Sequence, residues 1–272
     1  MSSEITLRNK LKKKFSFDVL INSHCNLNCK FCNRKAPICS PQYYSLEQFD
    51  KDLKHFKDNG FYINDLTFTG GEPLLNKNLE KYFQIARKYY PNCFLKVFTN
   101  CKLLQNDSKI LKILKDNNIF VLYTQYILLS GIDYKKVFEN LKKYEIPYSE
   151  VLEFLFHKKD YKFLLTYTPI SKKENDGKKQ YEHCYSDCLC IRNGILYICG
   201  ELANIDEMNK VFGTDFKLVE NSDFFYINNL NVETLCNAIG KPLNFCKYCS
   251  KENVKVFKWS KSNKEKSEWI LE

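Results

Sequence analysis

The chain has 272 residues, of which 44% are hydrophobic and 15% aromatic, enough to build one large domain or a core domain with a small appendage, and wholesale disorder is excluded. Glycine (9) and proline (7) are too scarce for a collagen-like or low-complexity architecture, and apolar runs such as Ile119–Tyr123 are far too short to span a bilayer. The net charge of +10 permits attraction to anionic partners, but it is mostly scattered lysine on helix faces; with a polar, basic Met1–Lys14 in place of a signal peptide, the chain reads as soluble and cytoplasmic, with neither membrane nor nucleic acid expected as a partner.

In chain order, Phe17–Asn22 predicts a strand, and Ser45 can cap a helix to about Asn59, with Leu46, Phe49, Leu53 and Phe56 at helical spacing and Gly60 as its stop. Asp65–Thr69 reads as a second strand, Leu79–Tyr90 as a helix stopped by Pro91, and Phe94–Thr99 as a third strand. Ser108–Asn117 is a helix, Ile119–Tyr126 a fourth strand, and Asp133 can cap a helix to about Tyr144. Ile146–Tyr167 holds a weaker strand signal, Ser171–Gln180 is polar like a loop or boundary, and Cys190–Cys199 reads as a β-hairpin turning at Asn193-Gly194. Strands alternating with helices imply βαβ units and a parallel sheet.

The cysteines carry most of the chemical information. There are 13, an odd number, in a chain read as cytoplasmic, which favours metal ligation or catalysis over a disulfide scaffold. Cys25, Cys29 and Cys32 form C-x3-C-x2-C directly after the first strand. Thiolates favour zinc or iron–sulfur centres, and three ligands in one loop leave one iron of a cubane open, as a catalytic site requires. The alternatives are a zinc site or three unrelated buried thiols. The second strand ends in Thr69-Gly70-Gly71-Glu72-Pro73, where paired glycines admit a close backbone approach and Pro73 restrains Glu72. If the strands curl into a barrel, the cysteine loop, this turn and Thr99-Asn100 share the face at the strands' C-terminal ends.

In residue type, order and separation these motifs resemble those of the radical S-adenosylmethionine (radical SAM) enzymes. The resemblance implies an α/β fold, a partial (β/α)6 TIM-like barrel over residues 1–170, with a cysteine-rich extension and basic tail over residues 171–272. It implies a [4Fe-4S] cluster on Cys25, Cys29 and Cys32, with S-adenosylmethionine chelating the fourth iron. Phe31 would lie near the adenine, Gly70, Gly71 and Glu72 would hold the methionine amino group, and Thr99 and Asn100 would complete the cofactor site. An electron, delivered from a donor such as flavodoxin or ferredoxin, would cleave the sulfonium to a 5′-deoxyadenosyl radical, while the protein supplies position and excludes water and oxygen. Where many relatives read Thr-Asn-Gly, this chain has Cys101, either a small space-filling residue or a catalytic donor of hydrogen or an electron to a substrate radical.

A second group comprises Cys184, Gly194, Cys199, Cys246 and Cys249, similar to the SPASM/twitch appendage that binds an auxiliary [4Fe-4S] cluster. Cys188 competes with Cys184 as a ligand, and four thiolates serve a structural zinc equally well. The resemblance extends through Ala36-Pro37, Gly194–Cys199, Phe245–Cys249, Trp259 and Glu268-Trp269. It implies oxidation or rearrangement of a sugar-like small molecule. The alternative of a peptide maturase would usually bring an N-terminal leader-binding domain, for which a first strand at Phe17 leaves no room unless a separate partner supplies it. From a different class, a zinc-stabilised module binding nucleic acid or another anionic polymer would use the basic charge and aromatic residues.

Overall fold

The computed structural model describes residues 13–124, 131–150, 165–184 and 188–271. Strand β1 (Lys14–Asn22) alternates, with Phe15, Phe17, Val19 and Ile21 buried against helix α1 (Leu46–Asp58), whose Phe49, Leu53 and Phe56 are fully buried. The Ser45 hydroxyl caps α1 by accepting from the Gln48 amide at 3.0 Å. The chain continues through β2 (Tyr62–Gly70), α2 (Leu79–Tyr89), β3 (Phe94–Thr99), α3 (Ser108–Asp116), β4 (Phe120–Tyr123), α4 (Tyr134–Lys143) and β5 (Tyr148–Glu150). Asp107 and Asp133 cap α3 and α4. Strands β1 to β5 are parallel and lie in sequence order, so their C-terminal ends share one edge. This is the mostly parallel α/β sheet of a partial barrel.

Where the fold departs from expectation, pairing partners explain why. β6 (Leu165–Tyr167) does not join the large sheet; it pairs antiparallel with β11 (Lys255–Phe257). Ile170-Ser171 forms β7, which pairs with the tail strand β12 (Ile270–Leu271). The polar stretch expected as a loop contains helix α5 (Gly177–Glu182), because the Asp176 carboxylate accepts from the Lys178 and Lys179 amides. Gln125-Tyr126, expected to finish the fourth strand, lie outside the described residues; Tyr123 packs with Phe138 and Tyr148, and Thr124 has no strand geometry.

The expected hairpin forms as β8 (Cys190–Arg192) and β9 (Ile195–Tyr197), with Asn193 (φ 46°) and Gly194 (φ 83°) both left-handed at the turn. β8 lies parallel on the free edge of β1, Asp18 opposite Cys190, and β10 (Phe224–Tyr226) follows β9. The sheet therefore runs continuously across residue 170. Buried Asp52 of α1 fastens the turn, accepting from the Gly194 amide at 2.9 Å and from the Tyr44 hydroxyl. Helices α6 (Ile205–Phe212) and α7 (Val232–Ala238) complete the C-terminal part. A main core fills the space between sheet and helices, and a second, around Tyr167, Met208, Phe245 and Trp269, underlies the cysteine-rich region. Among the described residues no helix is long and apolar enough to cross a membrane.

Candidate active site

The loop after β1 carries the first thiol group. Asn28, Phe31 and Lys35 all adopt φ 56°, an uncommon conformation for residues with a Cβ, so the loop turns tightly around its cysteines. Burial pushes the Cys25 and Cys29 thiols up to about 12, with Glu72 and Cys32 adding to Cys25, and Cys32 and Cys25 adding to Cys29. Cys32 is raised as well, chiefly by burial. Cys32 thus disfavours ionisation of both Cys25 and Cys29, and Cys25 that of Cys29. Two N–H groups already aim at sulfur: Trp259 Nε1 donates to Cys29 Sγ at 3.0 Å and Asn100 Nδ2 to Cys25 Sγ at 3.6 Å.

The end of β2 presses directly on the start of this loop. Gly70 has φ 145°, and a Cβ there would land on the Asn22 carbonyl; one on Gly71 would land on the His24 carbonyl. Only glycine lets the two backbones approach, and the Gly71 and Glu72 amides donate to those carbonyls at 2.9 Å. Glu72 is 1% exposed, and burial lifts its carboxyl to about 7. It accepts from the Thr99 hydroxyl at 2.7 Å and from the amides of Asn100 at 2.9 Å and Leu74 at 3.1 Å. The carboxylate therefore locks the ends of β2 and β3 together, and Asn100 extends the lock to Cys25.

Cys101 lies beside the Glu72 carboxylate, which after burial is the second reason its thiol is raised. It is 0% exposed within the main apolar core, at φ 65°, and its amide donates to Thr99 Oγ1. A substrate has no surface of Cys101 to reach, which is the physical argument for the space-filling role over the catalytic one. Phe31 stacks on Tyr167 (centroids 5.9 Å apart) and meets Phe257 edge-on at 4.7 Å.

The second group gathers from three separate segments. Cys184 follows α5, Cys199 follows β9, Cys246 lies within a tight 3-10 turn at Asn244–Tyr248 and Cys249 caps its end. Gly177 opens α5 against that turn: a Cβ would meet the Lys247 amide at 3.1 Å and Cys246 Cβ at 3.6 Å. Burial pushes Cys199 up to about 12, followed by Glu201, Cys184 and Cys246; burial also raises Cys246, with Cys184 contributing, and Cys249, with Cys199 and Cys246 contributing. Cys184, Cys199, Cys246 and Cys249 are thus neighbours. Cys188 lies beside Gly200, the neighbour of Cys199, and donates to the Asp18 carboxylate at 2.8 Å next to Arg34.

The two groups share a wall. Arg34 pairs with Asp18 and donates to the Gly200 carbonyl at 2.7 Å, next to Cys199. Lys35, 1% exposed, bonds both the carbonyl and the carboxylate of Glu201, at 3.0 and 3.1 Å. Tyr167 feels Glu201, Cys249 and Cys32 at once, though burial is the larger reason its phenol is raised. Sequence reasoning named none of Arg34, Lys35, Tyr167 or Glu201 as site residues; Arg34, Lys35 and Glu201 had only nearness to a cysteine as a signal, and Tyr167 had none.

The chain's donors suit an iron–sulfur cluster and its ligand: soft thiols with N–H groups aimed at sulfur, and buried Asn22 Oδ1 and His24 Nδ1 with no hydrogen-bond partner beside the glycine turn. Among the described residues no three His, Cys, Asp or Glu side chains are grouped to hold a single metal ion. A cubane takes each thiolate on a different iron, so its sulfurs stand further apart than the ligands of one ion.

Comparison with known proteins agrees with the geometry. The Radical SAM superfamily model matches residues 19–154. Two GTP 3',8-cyclases are similar: that of Sulfurovum sp. (strain NBC37-1) is 30% identical over 97 residues, 35% of this chain and 29% of the relative, and that of Nautilia profundicola 29% identical over 110 residues, 39% and 34%. The matched stretches span about a third of the length of these curated relatives. Among solved structures, BtrN in complex with AdoMet and 2-DOIA superposes with a TM-score of 0.54 at 18% identity, covering 88% of this chain and 94% of that one. Native anSMEcpe with bound AdoMet gives a TM-score of 0.54 at 16% identity, covering 84% and 81%. At such identities the likeness shows the fold alone. The family match over half the chain, on a partial barrel that sets the three-cysteine loop against a glycine–glutamate turn, means that this chain belongs to the radical SAM superfamily of enzymes, whose cofactors are a [4Fe-4S] cluster and S-adenosylmethionine.

Proposed function

We propose that the chain reductively cleaves S-adenosylmethionine at a cluster held by Cys25, Cys29 and Cys32, and uses the radical to oxidise or rearrange a sugar-like small molecule. The observation that carries this reading is the placement of Cys25, Cys29 and Cys32 in the loop that follows β1, at the C-terminal ends of the parallel strands and against the Gly70-Gly71-Glu72 turn; Cys39 of the same connection turns its thiol to the Arg34 carbonyl. When bound, the cluster and its ligand supply the electron and the 5′-deoxyadenosyl radical. The chain's own residues do the rest. Glu72, through Thr99 and Asn100, holds the ends of β2 and β3 in register with the loop. The unpartnered Asn22 Oδ1 and His24 Nδ1 offer polar contacts beside the turn. Phe31, with Tyr167 and Phe257, provides an apolar wall suited to a purine.

Cys184, Cys199, Cys246 and Cys249 are assigned to an auxiliary [4Fe-4S] cluster of the SPASM/twitch type, Cys188 being engaged by Asp18. Four protein ligands close its coordination, which suits electron acceptance rather than S-adenosylmethionine binding. The substrate read here is a small molecule, and an external low-potential electron donor completes the system.

Anaerobic reconstitution with iron, sulfide and zinc counting tests the assignment: about eight irons per chain for two cubanes, about four for one. S-adenosylmethionine and dithionite should then yield 5′-deoxyadenosine. A panel of sugars, nucleotides including GTP, and peptides, read by deuterium transfer into 5′-deoxyadenosine, identifies the substrate class. Zinc without iron would sink the proposal and favour the anionic-polymer module.

A further inference from the structure

The C-terminal tail returns across the molecule and lies on the first thiol loop. Lys261 forms an antiparallel bridge with Cys29. The Lys30 amide donates to the Ser260 carbonyl, and the Ser262 amide to the Asn28 carbonyl, both at 2.9 Å, while Asn28 Nδ2 donates to the Ser262 carbonyl at 3.2 Å. The segment is held from behind by Glu268, 1% exposed, whose carboxylate accepts from the Ser262 hydroxyl at 2.5 Å and the Asn263 amide at 2.7 Å. On its other side Phe257 is seated against Phe31. Trp259 stands between these anchors with its indole N–H 3.0 Å from Cys29 Sγ.

Resting on the cluster assignment proposed above, we infer that Trp259 is a tuning residue that makes the active-site cluster easier to reduce, and that the tail is built to hold its indole on Cys29. Reduction adds one electron, from the external donor, and so one negative charge shared between iron and sulfur. An N–H whose positive end points at a ligating sulfur stabilises the charged product more than the starting state. The donor is fixed in advance by two backbone bonds and a buried carboxylate, so little reorganisation accompanies the charge change. Trp269 makes a useful contrast, because its Nε1 donates to the Cys32 carbonyl at 3.0 Å and not to sulfur.

Trp259→Phe removes the N–H and keeps an aromatic ring. The readout is an EPR-monitored redox titration of the reduced-cluster signal that changes on adding S-adenosylmethionine, which singles out the cluster with the open corner. The expected result is a more negative midpoint, about a tenfold fall in the ratio of reduced to oxidised cluster at fixed potential, or ~59 mV for one electron. Iron content and the other cluster's midpoint stay as in the wild type. An unchanged midpoint in an iron-replete variant overturns the inference alone, whereas a wild type that takes up no iron overturns the cluster assignment with it. A second measurement covers a variant that loses its iron. The reduced wild type, labelled with 15N-indole tryptophan, should show an indole nitrogen coupling on that signal, and its absence overturns the inference.

Discussion

The two thiol groups are built in opposite ways. Cys25, Cys29 and Cys32 come from one tight loop, and the surrounding chain only braces it. Cys184, Cys199, Cys246 and Cys249 come from a helix end, a hairpin end and a 3-10 turn, and meet only because the hairpin docks on β1 and α5 docks on the turn. On the assignment proposed above, the local group would keep a coordination position open and the assembled one would close its own. A catalytic centre can be carried by a short motif because its missing ligand is the substrate-side partner. A closed centre needs every ligand from the protein, and here it also ties distant segments together.

The largest expected effect comes from breaking the local group. Cys29→Ala should lose about four of eight irons and at least ~1000-fold of 5′-deoxyadenosine formation, since a cubane with a second open corner cannot hold its cofactor correctly. Iron assay and product chromatography read both, and a variant that still cleaves S-adenosylmethionine at the wild-type rate would refute the assignment. The assembled group is sharpened by a pair of variants. Cys184→Ala should lower iron towards about four per chain and reduce substrate turnover while sulfonium cleavage persists uncoupled. Cys188→Ala, whose thiol bonds Asp18, should leave the iron count unchanged. The reverse pattern would exchange their roles.

A smaller effect concerns the brace between strands. Glu72→Ala strips the acceptor from the Thr99 hydroxyl and from two buried amides, at about 1–3 kcal/mol for each donor left unpaired. Glu72→Gln keeps a carbonyl acceptor and should cost about 1 kcal/mol. Thermal unfolding separates the two; equal melting temperatures would show that the carboxylate is not the lock. The smallest effect lies at the hairpin. Burial raises the Asp52 carboxyl above its ordinary value, so the folded state holds this proton more tightly than the unfolded chain. Its contribution is fully present below about 3.8 and is lost as pH rises through the folded value. Asp52→Asn should remove that slope from denaturant midpoints measured across the acidic range, and identical slopes would count against it.

Much of this organisation was readable beforehand because its causes are local. The first strand, the Ser45 and Asp133 caps and the Asn193-Gly194 turn depend on neighbours a few residues away. Between Cys184 and Cys188 the sequence left a choice, since both lie within reach of the hairpin; the docking of α5 and the bond of Cys188 to Asp18 are long-range contacts that spacing does not encode. Nor was the burial of Cys101: spacing put it at a strand end near the chemistry, but its left-handed backbone turns the thiol into the core.

By itself, then, the amino-acid order determined the parallel α/β plan, the three-cysteine loop and the glycine–glutamate turn, because each is a short-range pattern of periodicity, capping or ligand spacing. Only the tertiary structure decided that the tail lies on Cys29, that Trp259 points at its sulfur, and that Arg34, Lys35 and Tyr167 stand between the two thiol groups. Those contacts join residues more than a hundred positions apart, where local propensity carries no information and packing alone selects the partner.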